Sequence, residues 1–216
     1  MIVLTILMNK ITAEEGSYNC IVDTARSGGQ PYFCTFKDFK STTTFTDFIT
    51  NNVKNYFTFL NYDIDQNGPH EVGKILFKNV TLKGIPTNLF TKFNHLWELN
   101  LSKVGLETIT KKNFEGEVKE IKTLNLSKNK LTYLGNMVFS GLTGLTDLDL
   151  SENMLADFHE GAFDFCCDAL KKLNLKSNKI KEIKPLMFNS IKDLIVFDLS
   201  ENNIVEVNDI QVKQNY

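Results

Sequence analysis

The pattern Leu-x-x-Leu-x-Leu-x-x-Asn-x-Leu returns down the second half of the chain at a nearly constant spacing. One copy holds Ile121, Leu124, Leu126, Asn129 and Leu131, and the pattern starts again at Leu145, Leu170 and Leu194. The starts fall 24, 25 and 24 residues apart. A unit this short cannot cover its own apolar side chains, so each copy must be covered by the next, and the chain must wind into an elongated stack.

Two earlier copies belong to the same register. The copy from Leu96 supplies Leu99, Leu101, Leu106 and Ile109, and the copy from Val72 supplies Ile75, Phe77, Leu82 and Ile85; Val104 and Val80 stand in their Asn slots. A second column supports the alignment: Phe90, Phe114, Phe139, Phe163 and Phe188 each lie five positions after Ile85, Ile109, Leu134, Phe158 and Ile183. Period and pattern are those of a leucine-rich repeat. The expected fold is an α/β repeat, a leucine-rich-repeat solenoid with a curved parallel sheet on the concave face and an irregular, 3-10 or helical convex side. A small disulfide-stapled N-terminal cap precedes it.

Residues two apart in Leu-x-Leu project from one face of a short strand. Leu124 and Leu126 therefore point inward, while Thr123, Asn125 and Ser127 point outward. Five or six buried apolar side chains per coil contribute roughly 1.5–3 kcal/mol each. The Asn column (Asn129, Asn153, Asn178, Asn202) is expected to satisfy inward-turned backbone groups, because a carboxamide both donates and accepts. The turns at Val80 and Val104 must be closed differently.

These patterns divide the chain into residues 1–13, 14–71 and 72–216. Residues 1–13, with the apolar run Ile2 to Met8 and a small Ala13, read as a short signal peptide, the alternative being a frayed apolar start or part of a longer leader. Residues 14–71 form the cap. The coils are 72–95, 96–120, 121–144, 145–169, 170–193 and a partial 194–216.

Cys20 and Cys34 flank a segment rich in small residues and are expected to pair, which places the chain in an oxidising compartment. The aromatic stretch over residues 45–64 reads as strands or a hairpin over the first coil. Cys166 takes the place of the apolar Leu142 and Ile191 of neighbouring coils and is expected to be buried. Cys167 is expected to face solvent, either free or bonded to another chain. A bond between the two is sterically awkward.

A formal charge of −2 gives no electrostatic pull toward nucleic acid or anionic membrane. No later stretch reaches the roughly 18 apolar residues of a membrane span. His70, His95 and His159 fall at unrelated register positions with no partner at metal or nucleophile spacing, so neither catalysis nor a cofactor is expected. Glycosylation sequons occur at Asn79, Asn100 and Asn125. Glycans on the last two would sit on the concave face and move binding to later coils, a flank or the convex side. The concave candidates for partner contact are Trp97, Glu98, Asn100, Thr123, Asn125, Asp147, Asp149, Lys172, Asn174, Val196 and Asp198. The bland reading of these positions is a solvated sheet face.

The run from Tyr18-Asn19-Cys20 to Cys34-Thr35-Phe36, with Ile75-Leu76-Phe77-Lys78-Asn79-Val80-Thr81-Leu82-Lys83-Gly84-Ile85-Pro86 leading to Leu89-Phe90, resembles the N-terminal part of the mosquito leucine-rich-repeat immune proteins. These are secreted haemolymph proteins that associate with complement-like thioester proteins. In them a cysteine-rich region and a coiled coil follow the solenoid and support dimerisation. This chain reaches Tyr216 with neither, so the expectation is a short member, a fragment or an incomplete gene model. The resemblance implies an extracellular protein ligand, either a complement-like thioester protein or another leucine-rich-repeat chain. Two other readings stay open: a fragment of a cell-surface receptor or adhesion ectodomain, and an intracellular scaffold or enzyme inhibitor.

Overall fold

The computed structural model describes the backbone of strands 17–22 and 32–37, and residues 72–207 apart from 79, 83, 86–88, 94, 116–117 and 185. The signal-peptide segment, the aromatic stretch at 45–64 and the sequon residue Asn79 lie outside the described residues.

Each Leu-x-Leu segment makes one short strand. After β1 (Ser17–Val22) and β2 (Tyr32–Lys37) come β3 (Val72–Lys78), β4 (Glu98–Asn100), β5 (Thr123–Asn125), β7 (Asp147–Asp149), β9 (Lys172–Asn174) and β11 (Val196–Asp198). They form a single eight-stranded sheet in the order β1-β2-β3-β4-β5-β7-β9-β11. From β2 onward all pairs are parallel, with Leu99, Leu124, Leu148, Leu173 and Phe197 as successive Cα partners. One residue per coil therefore sets the inner column. The two-stranded β1–β2 unit is antiparallel and adds to the same sheet, with Cys20 directly opposite Cys34.

The return path is looser. β6 (Tyr133–Leu134) pairs with β8 (Asp157–Phe158), and β10 (Glu182–Ile183) with β12 (Glu206–Val207), both parallel. A four-residue helix α1 (Leu89–Lys92) and a 3-10 turn at Lys111–Phe114 lead into the phenylalanine column. Its rings touch in series: Phe90 to Phe114, Phe114 to Phe139, Phe139 to Phe163 and Phe163 to Phe188 have centroids 5.8–5.9 Å apart. The apolar core thus runs unbroken along the stack.

The Asn column works between coils. Asn129 Oδ1 accepts from the Val104 and Leu106 amides, both at 3.1 Å, and its Nδ2 donates to the Leu101, Leu126 and Ser127 carbonyls. Asn153, Asn178 and Asn202 repeat the carbonyl bonds one coil further on each time, their Oδ1 accepting from one amide, that of Leu131, Leu155 and Ile180 respectively. Here lies the answer to the Val104 turn: the Asn of the following coil closes it. The Val80 turn has no such help, and the Leu82 amide instead reaches the Val104 carbonyl at 2.8 Å. Each ladder Asn is preceded by a residue with φ of 52–57°, namely Lys128, Glu152, Ser177 and Glu201, and Lys103 at 58° precedes Val104. A left-handed non-glycine residue costs about 1–2 kcal/mol. The buried carboxamide bonds offset that cost in each coil.

Two expectations fail at the level of single residues. Ser127 does not stand out on the sheet face but is buried, its hydroxyl donating to Asn125 at 2.7 Å, and its counterpart Ser151 is buried in the same way with its hydroxyl on Asp149 at 2.7 Å. Cys167 is buried at 1 % exposure and forms a disulfide with Cys166, so it is neither solvent-facing nor a link to another chain. The cause is a one-residue insertion. Counted back from the next coil, the residue three before its first apolar position is Phe93, Val118, Leu142, Cys167 and Ile191. Its carbonyl accepts from the Leu96, Ile121, Leu145 and Leu170 amides in the first four. Cys167, not Cys166, occupies the apolar column.

Burial fades at the far end. Leu194, Leu199 and Ile204 are only half-buried. Ile195 is 75 % exposed and Val205 88 %.

Candidate functional site

Three outward columns cross the concave sheet. The first carries Lys74, Glu98, Thr123, Asp147, Lys172 and Val196, aligned by strand pairing. Its charges neutralise one another between adjacent strands: Lys74 meets Glu98 at 2.6 Å and Lys172 meets Asp147 at 2.8 Å. Burial works against ionisation of Asp147, but hydrogen bonds from Lys172 and Thr146 outweigh it and hold the carboxyl below its ordinary value.

The second column is Leu76, Asn100, Asn125, Asp149, Asn174 and Asp198. From coil two on, the side-chain oxygen of each member accepts from the backbone amide two residues ahead, at 2.8–3.1 Å. These are Asx turns that close the strand end. The polar stripe is therefore first a structural device. One oxygen per side chain is occupied by it.

The third column, on the rim beyond the strand ends, pairs across coils: Lys128 with Glu152 at 3.3 Å and Lys176 with Glu201 at 3.0 Å, with the Ser177 hydroxyl donating to Glu201. Hydrogen bonds from Ser177 and then Lys176 lower the Glu201 carboxyl, and Glu201 in turn raises Lys176. This rim was not foreseen. Its signal lies in the residue before each ladder Asn, namely Lys128, Glu152, Ser177 and Glu201, whose left-handed backbone aims the side chain sideways; Lys176 reaches Glu201 from one position earlier.

The sequence candidates thus meet on one surface. Trp97 is half-buried at its margin, and its carbonyl accepts from the Lys122 and Thr123 amides. Val196 is half exposed in β11, the last strand of the concave sheet among the described residues, beside Ile195. Elsewhere, Phe165 (73 % exposed), Leu186 and Tyr133 are exposed large residues of the return path that no register argument picks out. Among the described residues no cluster of His, Cys, Asp or Glu is suited to a metal, and no helix is long and apolar enough to cross a membrane. His159 Nδ1 is engaged, accepting from the Gly161 amide at 3.0 Å.

No curated protein sequence matches the chain. Among solved structures, it is similar to an APL1 leucine-rich repeat domain, with a TM-score of 0.62 and 26 % identity over 81 % of this chain and 43 % of that one. It is also similar to a chain of the Drosophila Toll–Spatzle complex, with a TM-score of 0.58 and 26 % identity over 65 % of this chain and 20 % of that one. The chain therefore spans less than half the length of either. The profile of the BspA type leucine-rich repeat region matches six copies over residues 70–195. With more than half its length in that match and the stacked parallel sheet to go with it, the chain belongs to the BspA type leucine-rich repeat family and is a protein-interaction module of that fold.

Proposed function

We propose that this chain is a secreted, non-enzymatic recognition module of insect-type innate immunity, which holds an extracellular protein partner on its concave sheet. The observation that carries the reading is the sheet itself, a ladder of outward polar columns on a rigid apolar stack, with 26 % identity to the APL1 domain. A solenoid of this kind presents a long preformed surface, so a partner binds without ordering it. The partner implied by the resemblance is a complement-like thioester protein or another leucine-rich-repeat chain. The Cα pairing of Cys20 with Cys34 supports a disulfide in the cap, since antiparallel partners stand within disulfide reach. A second reading, a fragment of a receptor or adhesion ectodomain, is favoured by the likeness to a chain of the Toll–Spatzle complex.

The test is affinity capture from extracellular fluid of the source organism with identification by mass spectrometry, using wild type and a variant altered at Thr123 and Lys172. Recovery of an extracellular protein by wild type and its loss in the variant support the proposal. Reduced Cys20 and Cys34, with recovery of cytosolic proteins alone, overturn it.

A further inference from the structure

The second concave column holds more chemistry than its structural task requires. The Asx turn needs one side-chain oxygen, and Asn supplies it at 100, 125 and 174. At 149 and 198 the same turn is made by Asp, whose Oδ1 accepts from Ser151 and Ser200. The second carboxylate oxygen lies outside the turn, and a full negative charge is more than the turn requires; at Asp198 that charge is met by Ser200 and, without an ion pair, by the field of Lys176. Neither Asp149 nor Asp198 has an ion pair among the described residues, whereas the first column is neutralised strand by strand.

The same substitutions break a second pattern. Asn100-Leu101-Ser102 and Asn125-Leu126-Ser127 are sequons, and each later coil departs from that triplet at one residue: Asp149-Leu150-Ser151, Asn174-Leu175-Lys176 and Asp198-Leu199-Ser200. The turn tolerates every departure, since the Lys176 amide still donates to Asn174 at 3.1 Å. Coils two and three can carry N-glycans on the concave face; coils four to six cannot. Apolar side chains enter the outward columns at Leu76 in coil one, where it is half-buried, and at Val196 in coil six, which is 49 % exposed with Ile195 beside it at 75 %.

We propose that the concave face of coils four to six is the binding half, kept clear of glycan and charged to receive a basic protein segment that also carries apolar side chains. The inference rests on the recognition function proposed above and deepens it. Asp149 and Asp198 lie two strands apart, about 10 Å at the usual strand spacing. They fit two cationic side chains of one partner, with an apolar residue against Val196.

The probe is an extended peptide alternating Lys with Val or Leu; its control has Glu in place of each Lys. The intact chain is made in a secretory insect cell line and in a host without N-glycosylation. Wild type from both hosts binds the Lys peptide in preference to the Glu peptide, and added salt weakens binding. In the host without glycosylation, Asp149→Asn with Asp198→Asn folds as wild type, because Asn makes the same turn, yet loses about tenfold or more, as expected for removal of close charge pairs. In the secretory host Asp149→Asn completes a sequon, gains a glycan by intact mass and blocks binding. Removing glycans from the wild-type protein leaves binding unchanged.

Equal binding of the two peptides, an unaffected double variant, or tighter binding after deglycosylation overturns the inference. Capture of an extracellular partner that the double variant retains in full overturns it too, and leaves the recognition function standing. Intact charge-dependent peptide binding with no extracellular partner overturns the function and not the assignment of the face.

Discussion

The Asn129 carboxamide donates to the Leu101 carbonyl of the preceding coil at 2.9 Å and to the Leu126 carbonyl of its own coil at 2.8 Å. One side chain thus holds two turns of the solenoid together from inside. Its replacement by Ala leaves buried amides and carbonyls unmet in both, and each such group costs about 1–3 kcal/mol.

Asn129→Ala is expected to lower stability by on the order of 3 kcal/mol, read as a fall in denaturant midpoint. Asn202→Ala, at a half-buried position where Oδ1 accepts from one amide and Nδ2 makes the same carbonyl bonds, is expected to cost clearly less. Equal losses would mean that neither burial nor the additional accepted amide gives Asn129 its weight.

The stack was legible in the sequence because repetition converts a weak local pattern into a strong global one. Leu124 alone is compatible with many folds; Leu99, Leu124, Leu148 and Leu173 in register are compatible with few. What escaped was local and non-repeating. Cys167 was misread because the forward count from Leu145 ignores the extra residue before Leu170, and packing against the next coil decides which side chain turns in. Ser127 was misread because strand alternation ends where the Asx turn begins. The rim pairs, Lys128 with Glu152 and Lys176 with Glu201, depend on a left-handed φ at Lys128, Glu152 and Glu201 that no residue type announces, since none of the three is glycine. The concave candidates, by contrast, fell on one face because their period of two survives into the structure.

Close packing of the return path leaves no room for a side chain at Gly144. A Cβ there would stand 2.0 Å from the Lys119 carbonyl oxygen of the preceding coil, whereas a Cβ on Gly135 meets nothing within 4 Å. Gly144→Ala is expected to cost about 1–3 kcal/mol as overpacking against a backbone atom that cannot yield. Gly135→Ala should leave the thermal midpoint nearly unchanged. A harmless Gly144→Ala would show that adjacent coils slide more freely than this contact allows.

The buried Cys166–Cys167 pair changes what a thiol assay should find. With both side chains at 3 % exposure or less and bonded to each other, the folded protein is expected to show no reactive thiol from this pair and no interchain link through it. Non-reducing electrophoresis of Cys167→Ser against wild type should give the same mobility for both. A dimer band present in wild type and lost in the variant would place Cys167 back on the surface.

Acid should loosen the concave face before neutral or mildly alkaline conditions do. The Asp147 carboxyl ordinarily titrates at 3.8 and is held lower in the fold by Lys172 and Thr146 against the opposing effect of burial. A depressed carboxylate contributes stability that is complete above its unfolded value and disappears as pH falls through the folded one. Screening limits this pair to about 1 kcal/mol or less, because Lys172 is largely exposed. Asp198 and Glu201 are lowered as well, by Ser200 and by Ser177 with Lys176. Two of the three depressed acids therefore belong to the last coil, where the apolar cover is thinnest. Lys176 and Lys184 are raised above 10.5 by Glu201 and Asp157, so their contribution is complete below 10.5 and is lost only as pH rises through the raised values. Thermal midpoints should hold steady across neutral pH and fall below about pH 4. Hydrogen exchange should show coil six opening first as the pH drops. In Asp147→Asn the Asp147 share of the acid dependence disappears, and an unaltered pH profile in that variant would remove the Lys172 pair from the account.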